Sequence, residues 1–419
     1  MLSFSDLRFL LDDSVADDRR TVQRRRGAGG ARVFDLLDDQ RREFRDTLRE
    51  FCRKEVAPGA ARRDVDAEYP AALVSQLADL GLLGITIPEE FGGLGLDMAT
   101  QVLAMEEVAY ADASLGSVFA GHYLGMETLR GFGSDEQRER YLPGLATGAF
   151  RVAFALTEPD AGSDISRIRT RATPGPDGWT ISGNKTFISN ARESDAIVVF
   201  AMTDPGAGIR GITAFLVPTD ADGLGFSAPI EKLGIRGEHA YEITLDGVVV
   251  EPDAVLGEPG GGGRIALEVL NSARIDVAAL ANGVAMRALD LATGYASTRI
   301  QFGRPIRELQ AVQLLLAEID ALVHSGRLHA YHAAALRDQS QDVRRAGSIA
   351  KYVASENCFQ SVDKALQIHG GYGYVKESEI ERLYRDCRIF RIYEGTSQIQ
   401  LLTIAKLLAR LYDRHGTVV

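Results

Sequence analysis

The chain has 419 residues, enough for two or three domains, and 45% of them are apolar, so sizeable cores can be buried. Lys and Arg number 47 against 58 Asp and Glu, and the net charge of −11 argues against a nucleic-acid backbone as the main partner. Cys52, Cys358 and Cys387 are too few and too scattered for a disulfide framework or a metal site, and no apolar run is long enough to span a membrane.

Residues 1–33 are charged, with Arg19, Arg20 and Arg24 to Arg26 among Asp6, Asp12, Asp13, Asp17 and Asp18, and they close on Gly27-Ala-Gly-Gly30. They hold no apolar stretch before a cleavage site, so neither a secretory signal nor a transit peptide is expected and the cytoplasm is the expected compartment. A flexible extension is expected, with a short docking helix over Phe4 to Leu11 as the alternative. Residues 34–149 read as a helical domain. Leu36, Leu37, Phe44, Leu48, Phe51 and Val56 mark one helix face, which Pro58-Gly59 should stop. Further helices are expected at Ala71–Leu80, Met98–Ala111, Leu115–Gly131 and Asp135–Tyr141, with a turn-rich loop around Ile87–Gly95.

Residues 150–257 change texture. Short β-branched runs such as Val152–Leu156, Ala196–Phe200 and Ile212–Val217 alternate with Gly, Pro, Asp and Asn, which predicts a β-sandwich or barrel rather than a doubly wound sheet. Residues 258–419 return to long helical patterns broken at Gly303-Arg-Pro305, near Asp338–Gln341 and at Gly370-Gly371-Tyr-Gly373, which predicts an antiparallel four-helix bundle. The fold class is therefore multi-domain α+β, in the order α, β, α.

Two glycine motifs are discounted. Gly206-Ala-Gly208-Ile-Arg-Gly211 matches GxGxxG but leads into a strand, so it has no helix N-terminus for a pyrophosphate. Gly260 to Gly263 lacks the following Lys-Ser/Thr of a phosphate loop and reads as a flexible linker. His329 and His332 lack a completing carboxylate, so no metal is expected.

Four segments carry chemistry. Leu156-Thr157-Glu-Pro-Asp-Ala-Gly162-Ser163 offers hydroxyls and free N–H groups after a strand. Arg299-Ile-Gln-Phe302-Gly303, with Gln310 and Gln313 beyond, puts a guanidinium fork beside a helix break. Gln367-Ile-His-Gly370-Gly371-Tyr-Gly373 permits close backbone approach. Tyr393-Glu394-Gly395-Thr396-Ser397-Gln398 sets a carboxylate between an aromatic and a glycine, and an apolar wall there would raise its pKa toward general-base use.

In this order and spacing the four segments resemble the flavin-dependent acyl-CoA dehydrogenases over roughly residues 34–412. The resemblance implies FAD, an acyl-CoA substrate and α,β-dehydrogenation to the trans-2-enoyl thioester. Glu394 would take the α-proton while the β-hydrogen leaves as hydride to flavin N5. The backbone N–H of Glu394 would help polarise the thioester carbonyl, with Tyr393 and Gly395 beside the substrate. Leu156, Thr157, Gly162 and Ser163 would contact the flavin, Ser163 also the thioester side. Phe187, Ile188 and Ser189 occupy the flavin-packing segment, where Phe187 replaces the family's usual Trp and loses its N–H. Arg299, Phe302 and Gln310 would hold the pyrophosphate and adenosine. Gln367, Gly370 and Gly371 would reach FAD from a neighbouring subunit, implying a homotetramer, and Thr396 and Gln398 would also contact the dinucleotide. Arg274, with Asn271, would face the CoA nucleotide.

A subset of the family carries its base immediately before the arginine matching Arg274; here that residue is Ala273. Gly116 and Ala120 are small and would leave room in the acyl pocket for a longer or bulkier acyl group. An electron-transferring flavoprotein is the implied acceptor. The alternatives are an oxidase that uses O2, a dehydrogenase of a carrier-protein-bound acyl group, and a non-catalytic scaffold.

Overall fold

The computed structural model describes residues 38–176 and 178–418. The expectations for residues 1–33, and for Leu36 and Leu37, lie outside the described residues. Helix α1 (Asp39–Phe51) is capped by the Asp38 side chain and buries Phe44 and Leu48. The chain does not stop at Pro58-Gly59. It widens into a π turn at Cys52–Val56 and tightens into a 3₁₀ turn at Ala57–Gly59, then enters α2 (Ala60–Asp66). Pro58 sits at the start of that 3₁₀ turn, where its missing N–H is least costly. Helix α2 ends at left-handed Ala67, whose φ is 50°.

Helices α3 (Ala71–Asp79), α4 (Met98–Ala111), α5 (Ala113–Phe132) and α6 (Asp135–Thr147) complete the first helical layer. Asp97 caps α4, Asp112 caps α5, and Ser134 with Gln137 forms a capping box on α6. The α6 helix runs past the expected Tyr141, with Pro143 inside it. Helices α4 and α5 are buried on nearly every face, because α7 below packs on both.

The middle region is one eight-stranded sheet. Its strands are β1 (Val152–Ala155), β2 (Arg171–Gly175), β3 (Gly178–Ser189), β4 (Ala196–Met202), β5 (Ile212–Pro218), β6 (Leu224–Phe226), β7 (Ala240–Val250) and β8 (Val255–Leu256). The order is β6-β7-β3-β2-β4-β5-β8, and β1 pairs with β4 in parallel. Alternation splits β4: Ile197, Val199 and Ala201 join a core within the sheet region, while Val198 and Phe200 face the main helical core.

Helix α7 (Gly262–Thr298) packs with α8 (Gln310–Asp338) and α9 (Arg344–His369), and α11 (Ser397–His415) lies along α9. A short hairpin, β9 (Ile300–Gln301) and β10 (Arg304–Pro305), turns at Phe302 and Gly303, and α10 (Glu379–Asp386) precedes the Glu394 segment. The glycine run is not a flexible linker. Gly262 and Gly263 are buried in the first turn of α7, and a Cβ on Gly263 would lie 2.4 Å from the Ile209 carbonyl oxygen. Close packing of α7 against the turn before β5 therefore requires glycine there.

Candidate active site

Glu394 sits in the segment between α10 and α11, where Thr396 caps α11. Its φ is 51° and that of Gly395 is 89°. Two successive left-handed residues turn the carboxylate inward, and glycine is required second because a Cβ there would lie 2.6 Å from the Gln400 amide nitrogen. The turn is pinned from beneath. Gln400 donates to the carbonyl oxygens of Glu394 at 3.1 Å and Gly395 at 2.9 Å, and Lys351 Nζ donates to Gly395 at 2.8 Å.

The Glu394 residue is partly accessible, yet its Oε2 is shut off from solvent and makes no hydrogen bond. Burial pushes this carboxyl up to about 7, against the pull of Lys351 and Arg274. Burial likewise pushes Lys351 down to about 8, partly offset by Glu394. An acid held near neutrality beside two cations can accept a proton at working pH.

Arg274 is 6% exposed, and its Nη1 donates to Asn271 Oδ1 at 2.8 Å and to Ser348 Oγ at 3.4 Å. It feels Glu394 electrostatically. Arg274 is thus a buried cation in the neighbourhood of Glu394. Tyr393 lies beside Ser117 of α5, close enough for the Ser117 hydroxyl to act on the Tyr393 hydroxyl, and both oxygens are shut off from solvent. One residue on, the Val118 carbonyl accepts from the Asn190 amide at 3.4 Å. One turn of α5 therefore touches both the carboxylate segment and the end of β3.

The β3 end presents Phe187, 65% exposed with φ at 58°, while Ile188 points into the sheet core at 2% exposure. The Leu156–Ser163 loop is locked alongside. Thr186 N–H donates to the Thr157 carbonyl at 3.0 Å, and fully buried Lys185 donates to Glu158 at 2.8 Å and to the carbonyls of Leu156 and Phe200. Gly162 and Ser163 lie exposed on this loop, and open space surrounds the missing Cβ of Gly162.

Arg299 and Phe302 follow the end of α7, Gln310 opens α8, and Gln367, Gly370 and Gly371 lie at the end of α9. Arg299 lies over the Tyr372 ring at 5.5 Å, and Tyr295 stacks on His369 at 4.5 Å, so the ends of α7 and α9 meet there. Arg299 follows Arg274 by 25 positions on or at the end of one helix, which places it about 37 Å along the axis. The two clusters do not form one site within a single chain.

Gly116 gives no free pocket volume. A Cβ there would lie 2.9 Å from Leu280 Cδ2 and 3.1 Å from Ala109 Cβ, so the missing side chain serves the close approach of α5 to α4 and α7. Ala120 is half-buried against the main core. Sequence reasoning missed Lys351, Ser117, Gln400 and the Lys185–Glu158 pair. The available signal was a lone lysine among the small residues Ser348, Ala350 and Ala354 of α9.

A buried carboxylate beside a strand that offers an open aromatic, at the meeting of two helical layers and a sheet, suits a flavin-dependent dehydrogenase. Residues 38–149, 153–248 and 260–409 match the N-terminal, middle and C-terminal domains of acyl-CoA dehydrogenase. The chain belongs to the acyl-CoA dehydrogenase family. It is 41% identical over 377 residues to the 3-(aryl)acrylate reductase of Clostridium sporogenes, covering 90% of this chain and 100% of that one. It is 40% identical over 379 residues to the mitochondrial short-chain specific acyl-CoA dehydrogenase of Bos taurus, covering 90% and 92%. The structure of butyryl-CoA dehydrogenase from Megasphaera elsdenii superimposes with a TM-score of 0.88 at 36% identity, over 89% of this chain and 99% of that one. The protein is an FAD-dependent oxidoreductase acting on CH–CH bonds.

Proposed function

We propose that the protein dehydrogenates a short saturated acyl-CoA at its α and β carbons, with Glu394 as the base for the α-proton. The observation that carries this is the Glu394 carboxylate, buried with Oε2 unbonded and two cations nearby. The residues suit FAD. Open space lies at the missing Cβ positions of Gly162, Gly370 and Gly371, and Phe187 presents its ring at the end of β3. When bound, FAD supplies the acceptor for the β-hydrogen.

The chain's own residues do the rest. Leu156, Thr157, Gly162, Ser163 and the Phe187–Ser189 segment hold the flavin face. Arg274 and Asn271 lie at the thioester end, where the guanidinium offers positive charge as the α-carbon becomes carbanionic. Lys351 and Gln400 fix the Glu394–Gly395 carbonyls, so the Glu394 carboxylate and backbone N–H keep their direction through proton transfer. Tyr393 closes the apolar side and excludes water.

The acyl group is short, as supported by two relatives named for short-chain and butyryl substrates, and the packing around Gly116 offers no extra room for a longer one. Gln367, Gly370, Gly371 and Arg299 serve the flavin of a neighbouring copy, since about 37 Å of helix separates Arg299 from Arg274, longer than an extended dinucleotide. A homotetramer provides that arrangement. The acceptor is an electron-transferring flavoprotein and the setting is cytoplasmic fatty acid metabolism. Among the described residues no helix is long and apolar enough to cross a membrane.

Anaerobic titration of the purified protein with straight saturated acyl-CoAs of graded length tests this reading. Flavin bleaching should be strongest with the short chains. Bleaching only by long or branched chains, or peroxide formation in air at the rate of substrate oxidation, would overturn it.

A further inference from the structure

A second, half-buried polar cluster lies at the turn that follows the flavin-facing end of β3. His239 Nε2 lies 2.9 Å from the Ala67 carbonyl oxygen, and its Nδ1 lies 2.9 Å from Glu193 Oε1 and 3.2 Å from the Tyr241 hydroxyl. The Tyr241 hydroxyl itself donates to Glu193 Oε1. Both ring nitrogens therefore face acceptors: a carbonyl, which can only accept, and a carboxylate whose other neighbour is already a donor. A neutral imidazole carries one N–H and satisfies one of these two contacts; the imidazolium satisfies both.

Three parts of the fold meet at this ring. Ala67 is the left-handed residue that ends α2 in the helical layer. Glu193 lies in the turn from β3 to β4, directly after Phe187–Asn190, and Tyr241 is on β7. The His239 backbone takes part as well, since its carbonyl accepts the Asn190 N–H at 2.8 Å. Asn190, with φ at 55°, closes the flavin-facing segment and carries its amide to α5.

We propose that His239 is a positioning residue, an imidazolium that ties the flavin-facing segment Phe187–Asn190 to the helical domain through Glu193 and Ala67, so that FAD is held firmly only while the ring carries both protons. This rests on the flavin placement proposed above.

The groups around the ring pull in both directions. Glu193 raises the His239 pKa through its hydrogen bond, burial lowers it, the Ala67 carbonyl raises it, and Lys232 lowers it. Lys232 is itself paired with Glu238. Tyr69, from the α2–α3 connection, lies 5.6 Å away ring to ring and is pushed up to about 12, so it stays neutral. Arg192 acts on Tyr241 and Arg151 on Tyr69. The net shift is upward. The tie is therefore complete below the unfolded histidine value of about 6.5 and is lost as pH rises through the higher folded value.

Two measurements on the holoenzyme test this. Side-chain nitrogen NMR of histidine-labelled protein should show both His239 nitrogens protonated at about pH 6, with the proton lost only above the unfolded value of about 6.5; one protonated and one bare nitrogen at about pH 6 would overturn the proposal. The FAD dissociation constant, followed from about pH 6 to about pH 10, should rise about tenfold as His239 deprotonates. His239→Gln should bind FAD that much more weakly at the lower end and show little further change; pH curves that run parallel in the two proteins would overturn the proposal. Should the variant fold poorly, Glu193→Gln is the second probe, and it should move the FAD curve of the wild type to lower pH. Protein that never takes up FAD would reject the flavin reading, while the nitrogen shifts would still decide the protonation of His239.

Discussion

Glu394→Gln should abolish proton abstraction and at the same time make the fold more stable in alkaline solution. The charged carboxylate is disfavoured in its pocket: burial raises its pKa from 4.5 to about 7. Each unit is worth about 1.4 kcal/mol, so ionised Glu394 costs the folded state about 3 kcal/mol relative to the unfolded chain. The sign follows from proton binding. The folded state keeps this proton to higher pH, so stability from this group is full below about pH 4.5 and declines until about pH 7. Glutamine is never ionised and escapes the decline. Denaturant midpoints of wild type and Glu394→Gln should nearly coincide near about pH 4.5 and diverge by up to about 3 kcal/mol in favour of the variant at about pH 8. A gap that stays constant with pH, or a less stable variant at pH 8, would refute the claim that desolvation tunes this acid.

The wild-type kcat/KM should rise with pH and level off above about 7, where Glu394 is ionised. Lys351→Met removes a cation that lowers the Glu394 pKa, so a pH–rate profile should show the same limb displaced to higher pH. Lys185→Met leaves Glu158 buried without its partner and should cost about 3–5 kcal/mol in denaturant unfolding, with Lys185→Met/Glu158→Leu recovering part of it. Gly116→Leu should lower the melting temperature, through a clash with Leu280 and Ala109 worth about 1–3 kcal/mol or more, without narrowing the chain-length profile.

Much of the architecture was legible because its signals are local. The switch from helical period to alternating strands near Phe150, and back near Arg264, reflects burial on one stripe or one face. The inward turn at Glu394 was legible because Tyr393-Glu394-Gly395 pairs an acid with the glycine that its left-handed turn requires. What escaped depends on distant partners. The π and 3₁₀ turns that carry the chain past Pro58 are set by packing. Gly262 and Gly263 look like a linker until α7 is seated on the turn before β5. Lys351 was missed because only the fold brings Gly395 over it. The burial of Arg274 against Ser348 comes from the α7–α9 crossing, which no local pattern announces. Gly116 looks like an open pocket wall, whereas its neighbours come from two other helices.

The central claim is that Glu394 removes the α-proton. Rapid anaerobic mixing of holoenzyme with butyryl-CoA, protiated or deuterated at the α carbon, reads it directly from the flavin band. The account predicts fast bleaching slowed by deuterium in the wild type, and FAD-loaded Glu394→Gln that keeps its yellow band. Near-normal bleaching in that variant would contradict it.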